Sequence, residues 1–304
     1  MARYEPAIDL ESIRAIDVHV HIEVDDHGHT SLPPDLAEAA SRYFAVGAGR
    51  PDLDSVAAYY RERRMAAVVF TVDAEAQLGQ PPLSSEEIAA GAARNNDVLI
   101  PFGSVDPHRP DAVDRVRRLA EDHGVRGFKF HPTVQGFDPS DERWHPIYAA
   151  LQEAGVVALF HTGQTGIGAG LPGGRGLRLA LSNPMLLDGV AADFPDLQIV
   201  MAHPSVPWQD EALAVATHKH NTWIDLSGWS PKYFPESLVR AANSYLKTRV
   251  LFGSDFPLLT PDRWMADARV DEEAGLFKSE VLPGIVKDNA ARLLQLLPSP
   301  GLGD

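Results

Sequence analysis

Eight short apolar segments, separated by stretches of helical character, are the feature of this 304-residue chain that most constrains its fold. Several of them are apolar at consecutive positions, which is typical of parallel strands that helices cover on both faces. A capping box, Ser84 to Glu87, begins one of the intervening helices, and Gly124 and Gly155 follow the ends of two others. The predicted strands span residues 16–22, 66–72, 98–105, 125–131, 156–161, 197–203, 222–226 and 249–255.

Eight strand–helix units in a chain of this length predict an α/β fold, the (β/α)8 or TIM barrel. A doubly wound open sheet is the alternative, but no G-x-G-x-x-G sequence follows the first strand. We expect one domain over residues 1–304, with insertions at about 23–50 and 163–182. Both insertions follow the carboxyl ends of strands, where a barrel of this kind builds its active site.

The composition excludes several classes of function. The net charge of −15 argues against binding to nucleic acid or to an anionic membrane surface. The chain has no cysteine, so a disulfide, a thiolate metal site and a thiol nucleophile are all excluded. The first residues are too polar for a signal peptide, and no apolar run is long enough to span a membrane. We therefore expect a soluble cytoplasmic protein that acts on a small molecule, as a homodimer or a higher homo-oligomer.

Two histidines, His19 and His21, end the first predicted strand. Residues two apart on a strand project to the same face, so their imidazoles can converge on one divalent metal ion. Other strands end in polar side chains as well, and a barrel collects all of these ends at one mouth. These side chains are Lys129 and His131, His161, His203, and Asp255.

The ordered motifs IDVHVH, GFKFHP, LFHTG, VMAHP, LFGSDFP and DNAARLL resemble those of the amidohydrolase superfamily of metal-dependent TIM barrels. More narrowly, the chain resembles the amidohydrolase-2 branch, which includes aminocarboxymuconate-semialdehyde decarboxylase and the resorcylate-type decarboxylases. The resemblance implies that the metal ligands are His19, His21, His161 and Asp255. It also implies that His203 is the catalytic histidine and that Asp255 takes a proton from water.

The resemblance leaves two roles open for Lys129. In a one-ion site, which we favour, the lysine is an ammonium group directed at the substrate or the transition state. In a two-ion site, a carboxylated Lys129 bridges the ions. Nitrogen and carboxylate ligands suit Zn²⁺ best, with Mn²⁺ as an alternative. Further candidates for substrate binding are His131, Arg175, Arg178 and Trp229.

Two reactions fit these residues. The first is hydrolysis, in which a water molecule activated by the metal attacks a carbonyl of a small anionic or aromatic substrate. The second is non-oxidative decarboxylation of an aromatic or unsaturated carboxylic acid. Several resorcylate-type decarboxylases have glutamate at the first histidine of the pair, whereas this chain has His19. We therefore predict a hydrolase and keep the carboxy-lyase as the alternative.

Overall fold

A computed structural model describes residues 3–44, 50–272 and 275–297. Eight parallel strands pair in sequence order, and helices cover the outside of the sheet. The strands, β1 to β8, are Ala15–His21, Met65–Phe70, Leu99–Gly103, Gly127–Phe130, Val157–His161, Ile199–Ala202, Thr222–Asp225 and Val250–Leu251. The predicted (β/α)8 barrel is confirmed, although the regular strands are shorter than the apolar segments.

The α-helices, α1 to α12, are Pro34–Phe44, Leu53–Glu62, Glu75–Leu78, Ser85–Arg94, Ala112–Glu121, Pro132–Gln135, His145–Glu153, Leu186–Asp193, Gln209–His218, Glu236–Ala242, Pro261–Ala268 and Asn289–Leu293. Short 3₁₀ segments span Glu142–Trp144, Leu179–Ser182 and Pro231–Tyr233, and a π-helical turn, Gly284–Asp288, leads into α12. The segment Pro172–Gly176 is a turn with left-handed backbone angles. Of the first predicted insertion, residues 45–49 lie outside the described residues. Within the described ranges, we found no helix with the length and apolar character needed to cross a bilayer.

The apolar side chains form two main layers. Alternate strand residues such as Val68 and Leu159 pack together in the barrel interior, while their neighbours such as Val69 and Phe160 pack outward against the helices. This division explains why the strands are apolar on both faces. It also leaves the carboxyl ends of the strands as the place where polar side chains can enter the barrel interior.

Hydrogen bonds between β1 and the chain around β8 close the barrel. Val18 N donates to Phe252 O at 3.1 Å, Asp255 N to His19 O at 3.0 Å, and His21 N to Phe256 O at 2.8 Å. Closure therefore places His19 and His21 beside Asp255.

The carboxylate of Asp17 strengthens this closure from outside the barrel. It accepts hydrogen bonds from Ser254 Oγ at 2.5 Å, Ser254 N at 2.9 Å and Tyr60 OH at 2.7 Å. Burial raises the pKa of Asp17 to about 7, and the hydrogen bonds from Ser254 and Tyr60 oppose that rise. Because Asp17 and Tyr60 are fully buried, each lost hydrogen bond here leaves a polar atom without water to replace it.

We expect Tyr60→Phe to reduce the free energy of unfolding by about 1–3 kcal/mol, because it leaves the buried Asp17 carboxylate short of one donor while keeping the ring. Urea unfolding monitored by fluorescence measures the change. Tyr245→Phe is the matched control, since the Tyr245 side chain is half exposed. Equal stability of the two variants would contradict this role for Tyr60.

Candidate metal centre and active site

A β-bulge in β1 directs both histidines into the barrel. The pairing of β1 with β2 shifts register between Asp17 and Val20. As a result, Val18 packs in the barrel interior whereas Val20, two residues later, packs outward against the helices. Bulges commonly redirect side chains beside active sites. This one places the side chains of His19 and His21 on the interior side, at the carboxyl end of the strand.

Three ligand atoms converge where β1 meets the end of β8. His19 Nε2 and His21 Nε2 lie 3.3 Å apart, and Asp255 Oδ1 lies 3.3 Å from the first and 3.1 Å from the second. Ligands of a tetrahedral zinc ion with bonds of about 2.0–2.1 Å are separated by about 3.3–3.4 Å. The spacing and the chemistry of these donors therefore fit a divalent metal ion. His203 extends the cluster, because ligand atoms of His19, His203 and Asp255 all lie within 4.8 Å of one another.

The electrostatics of the cluster keep two of these residues, His19 and Asp255, in the protonation states that a metal needs. Burial lowers the pKa of His19 well below its usual value, and the nearby charge of Lys129 lowers it further. Burial alone would raise the pKa of Asp255, but the hydrogen bond from His21 holds it well below its ordinary value. The imidazole is therefore neutral and the carboxylate ionised at neutral pH, as metal ligation requires.

A carboxylate on β7 orients His19. His19 Nδ1 donates to Asp225 Oδ2 at 2.5 Å, which leaves the lone pair of the ring on Nε2. A metal-binding histidine usually donates the N–H of its other ring nitrogen to a partner such as this carboxylate. Two residues after Asp225, Ser227 donates its backbone N–H to Asp225 Oδ1 at 2.8 Å. The ring of Phe70 packs edge-on against His19 and His21 at about 5 Å and fixes their planes.

His203 and His161 form a second imidazole pair. His203 Nδ1 donates to the carbonyl of Ser227 at 3.1 Å, and His203 Nε2 lies 2.9 Å from His161 Nδ1. His131 stacks on His161 with ring centroids 3.8 Å apart and an interplanar angle of 10°. Within the described residues, His161 Nε2 is buried without a hydrogen-bond partner, and so is His131 Nδ1. A buried imidazole nitrogen that has no hydrogen-bond partner is suited to binding a metal ion.

Two site residues adopt a backbone conformation that favours glycine. His203 has a φ of +74° and Asp255 a φ of +73°. Left-handed residues with long side chains store strain and are concentrated at functional sites. Gly228 makes room for both side chains: a Cβ at this position would lie 2.6 Å from His203 Nδ1 and 3.3 Å from Asp255 Oδ2. Glycine is therefore required here both for its φ of +75° and for space.

Lys129 lies in the interior, behind the ligands. Its Nζ is 3.0 Å from His19 Nε2, and its side chain is fully buried beside the ring of Phe70. Burial lowers the pKa of Lys129 to about 8, with the charges of Asp255 and Asp225 acting in the opposite direction. The amine thus lies beside a ligand nitrogen. It can therefore contact only a substrate that extends as far as the metal-ligand residues.

A cavity of about 320 Å³ opens above the cluster. Its floor includes His21, His131, His161, His203 and Asp255. Its walls are largely apolar and include Leu32, Phe44, Val134, Ile167 and Trp229. A deep apolar cavity with a few convergent polar groups is the usual form of a small-molecule site.

The structure separates the four residues predicted from sequence to bind substrate. His131 and Trp229 line the cavity, but Arg175 and Arg178 do not. Arg175 Nε instead donates to Asp35 Oδ2 at 2.7 Å, which joins the 163–182 segment to helix α1. Arg178 is exposed. A role for these arginines in binding substrate stays a prediction.

Among the predicted metal ligands, His19, His21 and Asp255 lie together, whereas the ring of His161 contacts His203 and His131 instead. The four-ligand set therefore stays a prediction. Sequence reasoning missed Ser227 and Gly228. The spacing of Asp225 and Ser227, two residues apart at the end of a strand, was the available signal, because such residues share a face.

Comparison with known proteins identifies the family. A family model described as Amidohydrolase matches residues 16–296. The chain belongs to the amidohydrolase-2 family. This membership confirms the resemblance drawn from the motifs at the strand ends. No curated protein matches the chain.

Solved structures of similar fold cover nearly the whole amidohydrolase chain. An uncharacterized TIM-barrel protein from Bordetella bronchiseptica is 23% identical, with a TM-score of 0.73, and the match covers 92% of this chain and 98% of that one. A 2,6-dihydroxybenzoate decarboxylase in complex with 2,6-dihydroxybenzoate is 14% identical, with a TM-score of 0.66 and coverages of 93% and 99%. A 5-carboxyvanillate decarboxylase from Novosphingobium aromaticivorans, complexed with manganese, is 15% identical, with a TM-score of 0.64 and coverages of 97% and 99%. At these identities the likeness shows the fold.

We expect Gly228→Ala to reduce the free energy of unfolding by about 1–3 kcal/mol more than Gly170→Ala, because only the first adds overpacking against His203. Both glycines have a left-handed φ, but nothing lies within 4 Å of a Cβ at Gly170, so this variant measures the backbone penalty alone. Urea unfolding of the two variants gives the difference. Equal losses in both variants would show that the site has room for a side chain at position 228.

Proposed function

We propose that this amidohydrolase is a metal-dependent hydrolase of a small, largely apolar carbonyl compound. The observation that carries the proposal is the convergence of His19 Nε2, His21 Nε2 and Asp255 Oδ1 at 3.1–3.3 Å on the floor of an apolar cavity. These three residues would hold the ion, with His161 as the fourth ligand in the set that the family resemblance implies. When bound, a divalent ion supplies Lewis-acid activation of water at neutral pH.

The residues around the ion supply the acid–base chemistry. Asp255 is ionised, and its Oδ1 is the oxygen that lies beside His19 and His21, so Oδ2 is the atom that can accept a proton from the attacking water. Burial keeps His203 neutral by lowering its pKa, and its Nδ1 proton is held by the Ser227 carbonyl. Its Nε2 can therefore take up a proton and return it to the leaving group, as a general acid–base catalyst does.

The apolar walls favour a substrate whose reacting carbonyl is attached to an aliphatic or aromatic group. Tyr43, Phe44 and Trp229 supply aromatic contact area on these walls. Burial of such a group in the cavity also removes water from around Asp255 and His203, which strengthens their interactions with developing charge.

Decarboxylation is the second candidate, because structures of similar fold include the 2,6-dihydroxybenzoate and 5-carboxyvanillate decarboxylases. In that reaction the same cavity holds an aryl carboxylate that loses carbon dioxide, and His203 Nε2 first takes up a proton from water and then passes it to the ring carbon. We rank it below hydrolysis because Asp255 has a second carboxylate oxygen, Oδ2, that is suited to taking a proton from water while Oδ1 serves as a ligand atom. The presence of His19, where several resorcylate-type decarboxylases have glutamate, also favours hydrolysis.

We expect the purified protein to contain a divalent metal, most readily zinc. His21→Ala and Asp255→Asn should each weaken binding by more than about 100-fold, which exceeds the 10–100-fold typical of losing an outer partner. Metal content by plasma mass spectrometry and affinity by chelator competition measure both effects. His27→Ala, in an exposed loop, is the control and should bind metal as the wild type does. Full metal retention in His21→Ala and Asp255→Asn would overturn the site.

The number of ions can be read from the same measurement. In a one-ion site, His203→Asn retains one equivalent of metal, because His203 is then a catalytic group. In a two-ion site bridged by a carboxylated Lys129, the variant loses the second equivalent. We expect one equivalent in both the wild type and His203→Asn.

We expect the metal-loaded enzyme to release a new carboxylic acid from aryl β-ketoacyl thioesters and to release no carbon dioxide from aryl carboxylates. Chromatography of the products and a coupled carbon dioxide assay distinguish the two reactions. Asp255→Asn is the inactive control for both. Carbon dioxide release without hydrolysis would replace the hydrolase with a carboxy-lyase.

A further inference from the structure

Ser227 is a buried hydroxyl at the centre of the imidazole network. It follows β7, and its side chain has no exposed surface. Its Oγ lies 3.0 Å from each of three atoms: Asp225 Oδ2, His19 Nδ1 and His203 Nδ1. One hydroxyl thus contacts the proposed metal ligand His19, the proposed catalytic residue His203, and the carboxylate of Asp225, which orients His19.

Counting protons fixes the direction of each hydrogen bond. A carboxylate only accepts, so Asp225 Oδ2 receives the protons of Ser227 Oγ and of His19 Nδ1. The hydroxyl has a single proton, so it can act only as an acceptor toward His203 Nδ1. The backbone carbonyl of Ser227, 3.1 Å from the same nitrogen, also only accepts. His203 therefore carries its proton on Nδ1.

The same arrangement leaves both Nε2 atoms without a proton. His19 Nε2 then carries the lone pair that a metal ion needs, and His203 Nε2 carries a lone pair that can take up a proton. The four residues form one chain of hydrogen bonds, from His203 through Ser227 and Asp225 to His19. Since all the linking atoms are buried, water does not compete with these hydrogen bonds.

We infer that Ser227 is a positioning residue through which the single carboxylate of Asp225 orients two imidazoles, those of His19 and His203. The inference rests on the proposed function, because the orientation of His19 matters for the reaction only if His19 binds a metal ion. Ser227 touches neither the metal nor the substrate in this assignment. It acts on His19 through Asp225, and an experiment can test whether its effect depends on Asp225.

The proton positions can be read directly by NMR. In protein with ¹⁵N-labelled histidine, long-range proton–nitrogen spectra distinguish a protonated ring nitrogen from a bare one. We expect His203 to show a protonated Nδ1 and a bare Nε2, with its signals assigned by their loss in His203→Asn. A proton on Nε2 of His203 would overturn the hydrogen-bond chain. This spectrum can be recorded without metal, so its result is independent of the proposed function.

A double-mutant cycle tests whether Ser227 acts through Asp225. We expect Asp225→Asn to weaken zinc binding about 10–100-fold, as the loss of an outer partner does, and Ser227→Ala to weaken it about 3–10-fold. Because the hydroxyl acts on His19 by way of Asp225, Ser227→Ala should have no further effect in the Asp225→Asn background. Chelator competition with zinc as the probe gives all four affinities.

Ser85→Ala is the matched control for losing a buried hydroxyl. Ser85 is also buried, but its hydroxyl exchanges hydrogen bonds with the backbone of Ser104. We expect it to bind zinc as the wild type does. Wild-type affinity in Ser227→Ala, or additive losses in the double variant, would overturn the role of Ser227. Absence of zinc binding by the wild type would overturn the proposed function itself.

Discussion

The hydrogen bonds that join the first strand to the last are the constraint on which the rest of this structure depends. The metal-ligand candidates come from opposite ends of the chain, and they meet only because β1 pairs with the segment that follows β8. The hydrogen bond from Asp255 N to His19 O joins the backbones of two such candidates directly. The buried carboxylate of Asp17, on the outer face of the barrel, also joins β1 to the segment that follows β8. The hydrogen bonds that close the barrel therefore also bring the metal-ligand candidates together.

The interior of the barrel then determines the chemical state of the site. Burial keeps His19 and His203 neutral, and these neutral imidazoles need partners that fix which nitrogen carries the proton. Asp225 provides that partner for His19, and the carbonyl of Ser227 provides it for His203. The cavity above adds apolar walls, so the polar groups on its floor face a substrate with little competing water. The barrel interior thus sets the protonation states of the site, and the cavity walls limit the water that reaches it.

Much of this organisation could be predicted from sequence because it depends on patterns of short range. Apolar runs separated by capped helices predict the barrel, and polar residues at the ends of those runs predict where His19, His203 and Asp255 meet. Other features depend on contacts between distant segments and carry little local signal. The bulge in β1, the left-handed backbone of His203 and Asp255, and the bridging hydroxyl of Ser227 are of this kind. Arg175 illustrates the same limit, since only the fold shows its pairing with Asp35.

The most direct measurement of the central claim is an anomalous-difference map from crystals of the protein grown with zinc, with data collected at the zinc absorption edge. We expect a peak bonded to His19 Nε2, His21 Nε2 and Asp255 Oδ1, at the end of β1. A map with no peak within bonding distance of these three atoms would contradict the assignment of this cluster as the metal centre.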